Sequence, residues 1–162
     1  MTARPWRGTV AALSLAPEAG APMRSVQVVR AVPGRGLEGD RYFDGAGSFS
    51  RWPGPHRDLT LIAEEDLAAM QAEGIHLAPE ASRRNVLVRG VPLNDLVGRP
   101  FCVGTVTVRG ERLCQPCKYL ARLTGEPGLL PAMIGRGGLR ARILTEGVLH
   151  VGDEVSERND EG

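Results

Sequence analysis

Gly34-Arg35-Gly36-Leu37-Glu38-Gly39-Asp40 follows the apolar run Val26 to Val32 and carries the spacing G-x-G-x-x-G. In a dinucleotide-binding fold a helix has to begin on those glycines, so that its amide N–H groups face a pyrophosphate. The next stretch, Arg41 to Gly54, contains Gly45, Gly47, Pro53 and Gly54 and cannot make that helix. The doubly wound α/β reading is therefore rejected. The glycines are left with two compatible roles, a tight turn between strands or a loop whose successive N–H groups cradle an anion. Asp40 and Arg41 beside the turn can pair with each other, or present a carboxylate to an amine-bearing ring and a guanidinium to a phosphate.

Outward from that turn the chain is punctuated by 21 glycines and 12 prolines, which leaves little room for long helices. Segments rich in β-branched residues recur at Gly8 to Leu15, Ser25 to Ala31, Asp58 to Ile62, Asn85 to Arg89, Phe101 to Arg109, Leu139 to Thr145 and Val148 to Val155. Helical patterning is clearest at Ala63 to Glu73, with Leu67 and Met70 on one face and acidic residues in the first turn. Shorter helical pieces are expected at Leu93 to Val97, Pro116 to Leu123 and Gly128 to Ile134. Asp44 to His56 reads as a long irregular loop, and His56 within it as a solvated side chain. The expected fold is mainly β, a barrel or sandwich with short peripheral helices.

At 162 residues the chain has the length of one domain with one core, here about residues 8–156, followed by a polar tail at 157–162 expected to fray. Twenty Lys plus Arg against 19 Asp plus Glu leave a net charge of +1, so no bulk field would draw the chain to nucleic acid or an acidic membrane. Met1 to Leu15 has no long apolar run, so neither a signal peptide nor a membrane span is read there, and a cytoplasmic location is expected. The cysteines Cys102, Cys114 and Cys117 are odd in number, which argues for thiols rather than a disulfide framework. Cys102, between Phe101 and Val103, is expected to be a small buried hydrophobe.

Three further groups could carry chemistry. Ser82-Arg83-Arg84-Asn85 precedes the apolar run Val86-Leu87-Val88, and strand alternation would put Arg83 and Asn85 on one side. Arg offers a fork of donors to phosphate and Asn a donor and an acceptor to a heterocycle edge, while surface charge at a strand start is the plainer alternative. Ile134-Gly135-Arg136-Gly137-Gly138-Leu139-Arg140 is a hairpin whose Arg136 or Arg140 could close over an anion. In Cys114-Gln115-Pro116-Cys117, with Arg112 just upstream, Pro116 at a first helical position would leave Cys117 in the first turn. There the positive end of the helix favours thiolate, hence a nucleophile or soft-metal ligand. Zinc is a poor fit because too few other ligands remain. A thioredoxin-like dithiol matches locally, but the short helices and consecutive strands do not suit that fold. Two partly buried thiols at a turn remain a third possibility.

In order, Gly34 to Arg41, Arg83-Arg84-Asn85-Val86, Leu96-Val97-Gly98 with Val103-Gly104, Cys117, and Gly147 with Val151-Gly152-Asp153 resemble the MOSC family, the molybdenum cofactor sulfurase C-terminal domain, as a stand-alone bacterial-type member. The resemblance spans residues 8 to 156. It implies a barrel-like β fold and association with the molybdenum cofactor (molybdopterin). Family members carry sulfur on a cysteine or hold molybdenum through it, as in the mitochondrial amidoxime-reducing component.

Position by position, the resemblance makes Cys117 the molybdenum ligand or sulfur carrier and the catalytic residue. It makes Arg83 and Asn85 partners of the pterin and its phosphate, with Asp40 and Arg41 as weaker carry-overs, and Arg136 of the glycine-rich turn is added as a further candidate cofactor contact. The implied activity is an oxidoreductase reducing N-hydroxylated or N-oxygenated small molecules. The alternatives are a sulfur carrier using a Cys117 persulfide, a cofactor-delivery module, or a dithiol redox protein. The chain has no room for a pyridoxal-phosphate desulfurase domain or an iron-sulfur electron donor, so a separate electron or sulfur donor protein is expected. Gln115 and Pro116 depart from the residues that contact cofactor in the amidoxime-reducing proteins.

Overall fold

Alternation governs the strands. In Leu139–Ile143, Leu139, Ala141 and Ile143 are buried while Arg140 and Arg142 are not, which is the period-two pattern of a sheet with one face on a core. The computed structural model describes residues 6–17, 21–40, 58–78, 82–114, 122, 125 and 128–158. Eleven strands are described: β1 Arg7–Leu15, β2 Arg24–Val26, β3 Val28–Val32, β4 Gly36–Leu37, β5 Leu59–Ala63, β6 Val86–Arg89, β7 Pro100–Val103, β8 Val106–Leu113, β9 Leu139–Ile143, β10 Gly147–His150 and β11 Glu154–Glu157. Two helices, α1 Glu64–Ala72 and α2 Leu129–Ala132, and a 3-10 turn at Leu93–Leu96 accompany them. None of the described helices is long and apolar enough to cross a membrane.

The order β11-β7-β8-β9-β5-β6-β1 closes on itself because β1 also pairs with β11, making a barrel of seven strands with β2 appended to β1. Closure removes the open edges that an antiparallel sheet would otherwise expose. All its pairings are antiparallel except β5 with β6, which run parallel with α1 between them in sequence. A smaller sheet, β10-β3-β4, stands beside it. Phe101, Val103, Val106, Val108, Leu13, Val86, Leu61, Leu139 and Val155 fill the barrel. A second cluster, Ile62, Leu67, Met70, Leu77, Leu129 and Met133, seats α1 and α2 on its outside.

The expected mainly β barrel with short peripheral helices is the observed fold, with differences in detail. Three runs read as single strands are each two. Ser25 to Ala31 breaks at Gln27, β2 going to β1 and β3 to β10. Phe101 to Arg109 turns at Gly104 and Thr105, and Val148 to Val155 turns at Val151 and Gly152. Cys102 is half-exposed rather than buried, because Phe101 and Val103 take the inward positions and alternation sends it out. β11 takes in Ser156 and Glu157, paired with Cys102 and Phe101. Most of Pro116 to Leu123 and all of Asp44 to His56 lie outside the described residues.

Candidate functional site

On the outer face, next to the cluster under α1, a polar row crosses five strands. Arg112 on β8 stands opposite Arg140 on β9, and Arg140 opposite Thr60 on β5. Asn85, just before β6, bonds Thr60, and its carbonyl accepts the N–H of Ser14 on β1 at 2.8 Å. The Asn85 carboxamide knits this row together. Its Oδ1 accepts the Thr60 N–H at 3.1 Å and the Thr60 hydroxyl at 3.2 Å, and its Nδ2 donates to the Ser14 carbonyl at 3.2 Å. Buried polar groups need such partners. Asn85 therefore fixes the register of β1, β5 and β6, and most of its hydrogen-bonding capacity is spent inside the fold.

Arg83 lies in the left-handed region (φ 62), which costs a non-glycine residue about 1–3 kcal/mol. Its Nη1 donates to the Ala21 carbonyl. The alternation expected to align Arg83 with Asn85 does not apply, because this stretch is a turn before the strand begins. Arg84, between them, sends its Nε to the Gly137 carbonyl at 2.8 Å.

That bond reaches the base of the cysteine segment. The Cys114 N–H donates to the Gly138 carbonyl at 2.8 Å, and Cys114 is buried. Gly137 and Gly138 are required there by close approach. A Cβ on Gly137 would stand 2.4 Å from the Cys114 oxygen, and one on Gly138 (φ 97) 2.0 Å from the Leu61 oxygen. Arg84, Gly137, Gly138 and Cys114 thus form one hydrogen-bonded patch at the end of the row. Cys117, expected to be catalytic and a metal ligand, lies outside the described residues, as do Arg41 and His56.

Gly34 to Asp40 forms the tight turn expected of it, closing β3 onto β4 and continuing through an Asp40 N–H to Leu37 carbonyl bond of 3.0 Å. Asp40 is buried, and its Oδ1 accepts the Ala16 N–H at 3.0 Å, tying the turn to the end of β1. One N–H of this loop, that of Gly34, meets an internal carboxyl, while those of Arg35, Glu38 and Asp40 bond carbonyls. Asp58, at the head of β5, accepts from Gly34 at 3.3 Å and from Ile143 at 2.9 Å. Burial pushes the Asp58 carboxyl above the usual range, opposed by those two N–H groups and by Arg142, while Glu111 adds to the rise.

Arg136 is not turned to the row. Its Nη2 is 2.7 Å from Glu73 Oε2, next to the end of α1, and it holds that carboxyl below its usual range. The structure therefore joins Asn85 to Arg140 through Thr60, and puts Arg84 at the cysteine segment. It leaves Asp40 and Arg136 in bonds within the fold. Sequence reasoning assigned no part to Thr60, Ser14 or Asp58. A hydroxyl inside an otherwise apolar strand was the available signal for the first two.

Among solved structures, the YuaD protein of Bacillus subtilis is similar at 19% identity, covering 96% of this chain and 99% of that one, with a TM-score of 0.76. YiiM of Geobacillus stearothermophilus is similar at 18%, covering 94% and 75%, with a TM-score of 0.72. YiiM of Escherichia coli, at 17%, covers 98% and 72%, with a TM-score of 0.67. These likenesses are of fold. No curated protein matches. The MOSC domain family matches residues 50–156, well over half the chain, and β1, which precedes residue 50, closes the same barrel by pairing with β6 and β11. This chain belongs to the MOSC domain family.

Proposed function

We propose that residues 8–156 form one MOSC unit that binds the molybdenum cofactor and acts as an oxidoreductase on N-hydroxylated or N-oxygenated small molecules, with Cys117 as the metal ligand. MOSC domains are associated with that cofactor. The observation that carries the reading is the row Arg112–Arg140–Thr60, which runs up to the patch where Arg84, Gly137 and Gly138 hold the base of the cysteine segment.

The donor set fits the group. Guanidiniums present planar forks that suit a phosphate and the acceptor edge of a pterin, and a thiolate is a soft ligand suited to molybdenum. When bound, the cofactor supplies redox chemistry at its metal. The rest falls to the chain. Arg112 and Arg140 bind the anionic end, with Arg83 and Arg41 as further cationic partners. Asn85 keeps Thr60 and Ser14 in register beneath the ligand, and Asp40 keeps the Gly34–Asp40 turn against β1. Arg136 joins only by exchanging Glu73 for the ligand. A separate protein supplies electrons.

The test is elemental analysis for molybdenum, with fluorescence detection of oxidised pterin, on protein purified from a cofactor-producing host beside its Cys117→Ser variant. Near-stoichiometric metal and pterin in the parent, with molybdenum lost in the variant, is the expected result. Absence of both from the parent would overturn the reading, and sulfane sulfur on Cys117 would then favour a sulfur carrier.

A further inference from the structure

The outer face of the β8–β9 ladder carries four arginines in two opposed pairs, Arg109 across from Arg142 and Arg112 across from Arg140. Val108, Leu139, Ala141 and Ile143 fill the core side of the same strands, so all four guanidiniums leave the barrel on one face. Opposed residues in an antiparallel pair stand about 5 Å apart at Cβ, and successive same-face residues about 7 Å. The result is a compact two-by-two array of positive charge. Arg109, Arg112 and Arg142 are exposed and Arg140 is half-buried.

Like charges placed directly opposite each other weaken a sheet. Elsewhere this chain avoids the problem by giving arginines carboxylate partners: Arg30 has Glu38 and Glu146, Arg89 has Glu64, and Arg136 has Glu73. Among the described residues neither Arg109 nor Arg112 meets a carboxylate in this way. Among the described residues, Glu111 on the bulged part of β8 and Asp58, whose carboxyl feels the Arg142 charge, are acidic groups beside the ladder, and Asp58 is engaged by Gly34 and Ile143. Among the described residues, Arg109 and Arg112 thus add to the repulsion of the array without a carboxylate of their own.

The pair not assigned to the cofactor, Arg109 and Arg142, lies further along the ladder and is exposed, which suits a macromolecule. The face is the outside of a barrel, and a cleft of about 490 Å3 elsewhere among the described residues is lined by Trp6, Glu65, Asp66 and Asp95 among others. With a net charge of +1 the molecule spreads no field suited to a long polynucleotide, so the complement is a small cluster of carboxylates at similar spacing. Arg140 belongs both to this array and to the row that reaches Thr60, so whatever docks on Arg109 and Arg142 sits beside the proposed site.

We propose that the β8–β9 face docks the acidic surface of a small electron-carrier protein, an inference that rests on the oxidoreductase reading. The probe is flavodoxin, an acidic carrier, titrated against the full chain, an Arg109→Gln/Arg142→Gln double variant, and Arg30→Gln as a control on β3. At low salt the parent binds, the double variant binds about tenfold more weakly, and the control matches the parent. Raising the salt toward physiological strength narrows the difference, since exposed charges are screened. No binding by the parent at low salt, equal affinity of parent and double variant, or tighter binding of duplex DNA than of flavodoxin would each overturn the proposal. Molybdenum and pterin content, measured on the same preparations, separates the two readings. Parental loading in a variant that has lost flavodoxin binding supports both, whereas an unloaded parent that still binds flavodoxin sinks the cofactor reading and keeps the docking face.

Discussion

The row through Asn85 and the ladder through Arg109 and Arg142 lie in one sheet and use polar side chains in opposite ways. Asn85 is buried, and its carboxamide bonds Thr60 and Ser14 on two different strands, so its polarity is consumed in holding the barrel's register. Arg109 and Arg142 are exposed, stand opposite each other and add repulsion to the strands that carry them. Polar groups that satisfy one another inside a barrel belong to its framework. Polar groups that oppose one another on its surface are better explained by something outside it.

The largest effect expected from this contrast comes from Asn85→Ala. The substitution leaves the part-buried Thr60 N–H without its carboxamide acceptor and removes the donor to the buried Ser14 carbonyl, and an unsatisfied buried group costs roughly 1–3 kcal/mol. A loss of about 3 kcal/mol in urea unfolding is expected, with little dependence on salt. A loss below about 1 kcal/mol would mean that water takes over these bonds and that Asn85 is freer to meet a ligand than its contacts imply.

A second effect depends on pH. Burial raises the Asp58 pKa above its unfolded value, so the folded chain holds that proton more tightly than the unfolded chain. The stabilising contribution is then complete below the unfolded pKa and is lost as pH rises through the folded one. Asp58→Asn removes the titration while keeping an oxygen that can accept from Gly34 and Ile143. Unfolding free energies measured from pH 4 upward should show the parent losing stability relative to the variant as pH rises. A constant difference between them would remove Asp58 as the source.

How far the sequence showed all this varied with distance along the chain. Alternation and β-branched runs disclosed a strand-rich fold, and the Leu67–Met70 spacing disclosed α1, because these are local patterns. The same runs concealed three breaks, since Val103-Gly104-Thr105-Val106 reads as one apolar strand unless the isolated glycine is taken as a turn. Arg83, Arg84 and Asn85 were recognisable as a polar group at a strand start. Their partners, Ala21, Gly137 and Thr60, were not, because each lies more than 20 residues away and the pairing is decided by barrel closure. Arg109 and Arg142 likewise look unremarkable until the β8–β9 register puts them opposite each other. Cys117 and Arg41 rest on the family resemblance, being outside the described residues.

The smallest effect is the sharpest probe of the ladder. Arg109→Gln removes one of two opposed charges from an exposed pair and should raise stability by about 0.5 kcal/mol at low salt. Arg142 is a less clean site for the purpose, because its charge also lowers the Asp58 pKa and its removal would make ionised Asp58 costlier at neutral pH. The gain from Arg109→Gln should fade as salt is raised, since the repulsion it relieves is between solvated groups. A loss of stability that salt does not alter would have a different origin: the Arg109 side chain would be packing along the strands as framework, and the face would have to be grouped with Asn85 rather than set against it.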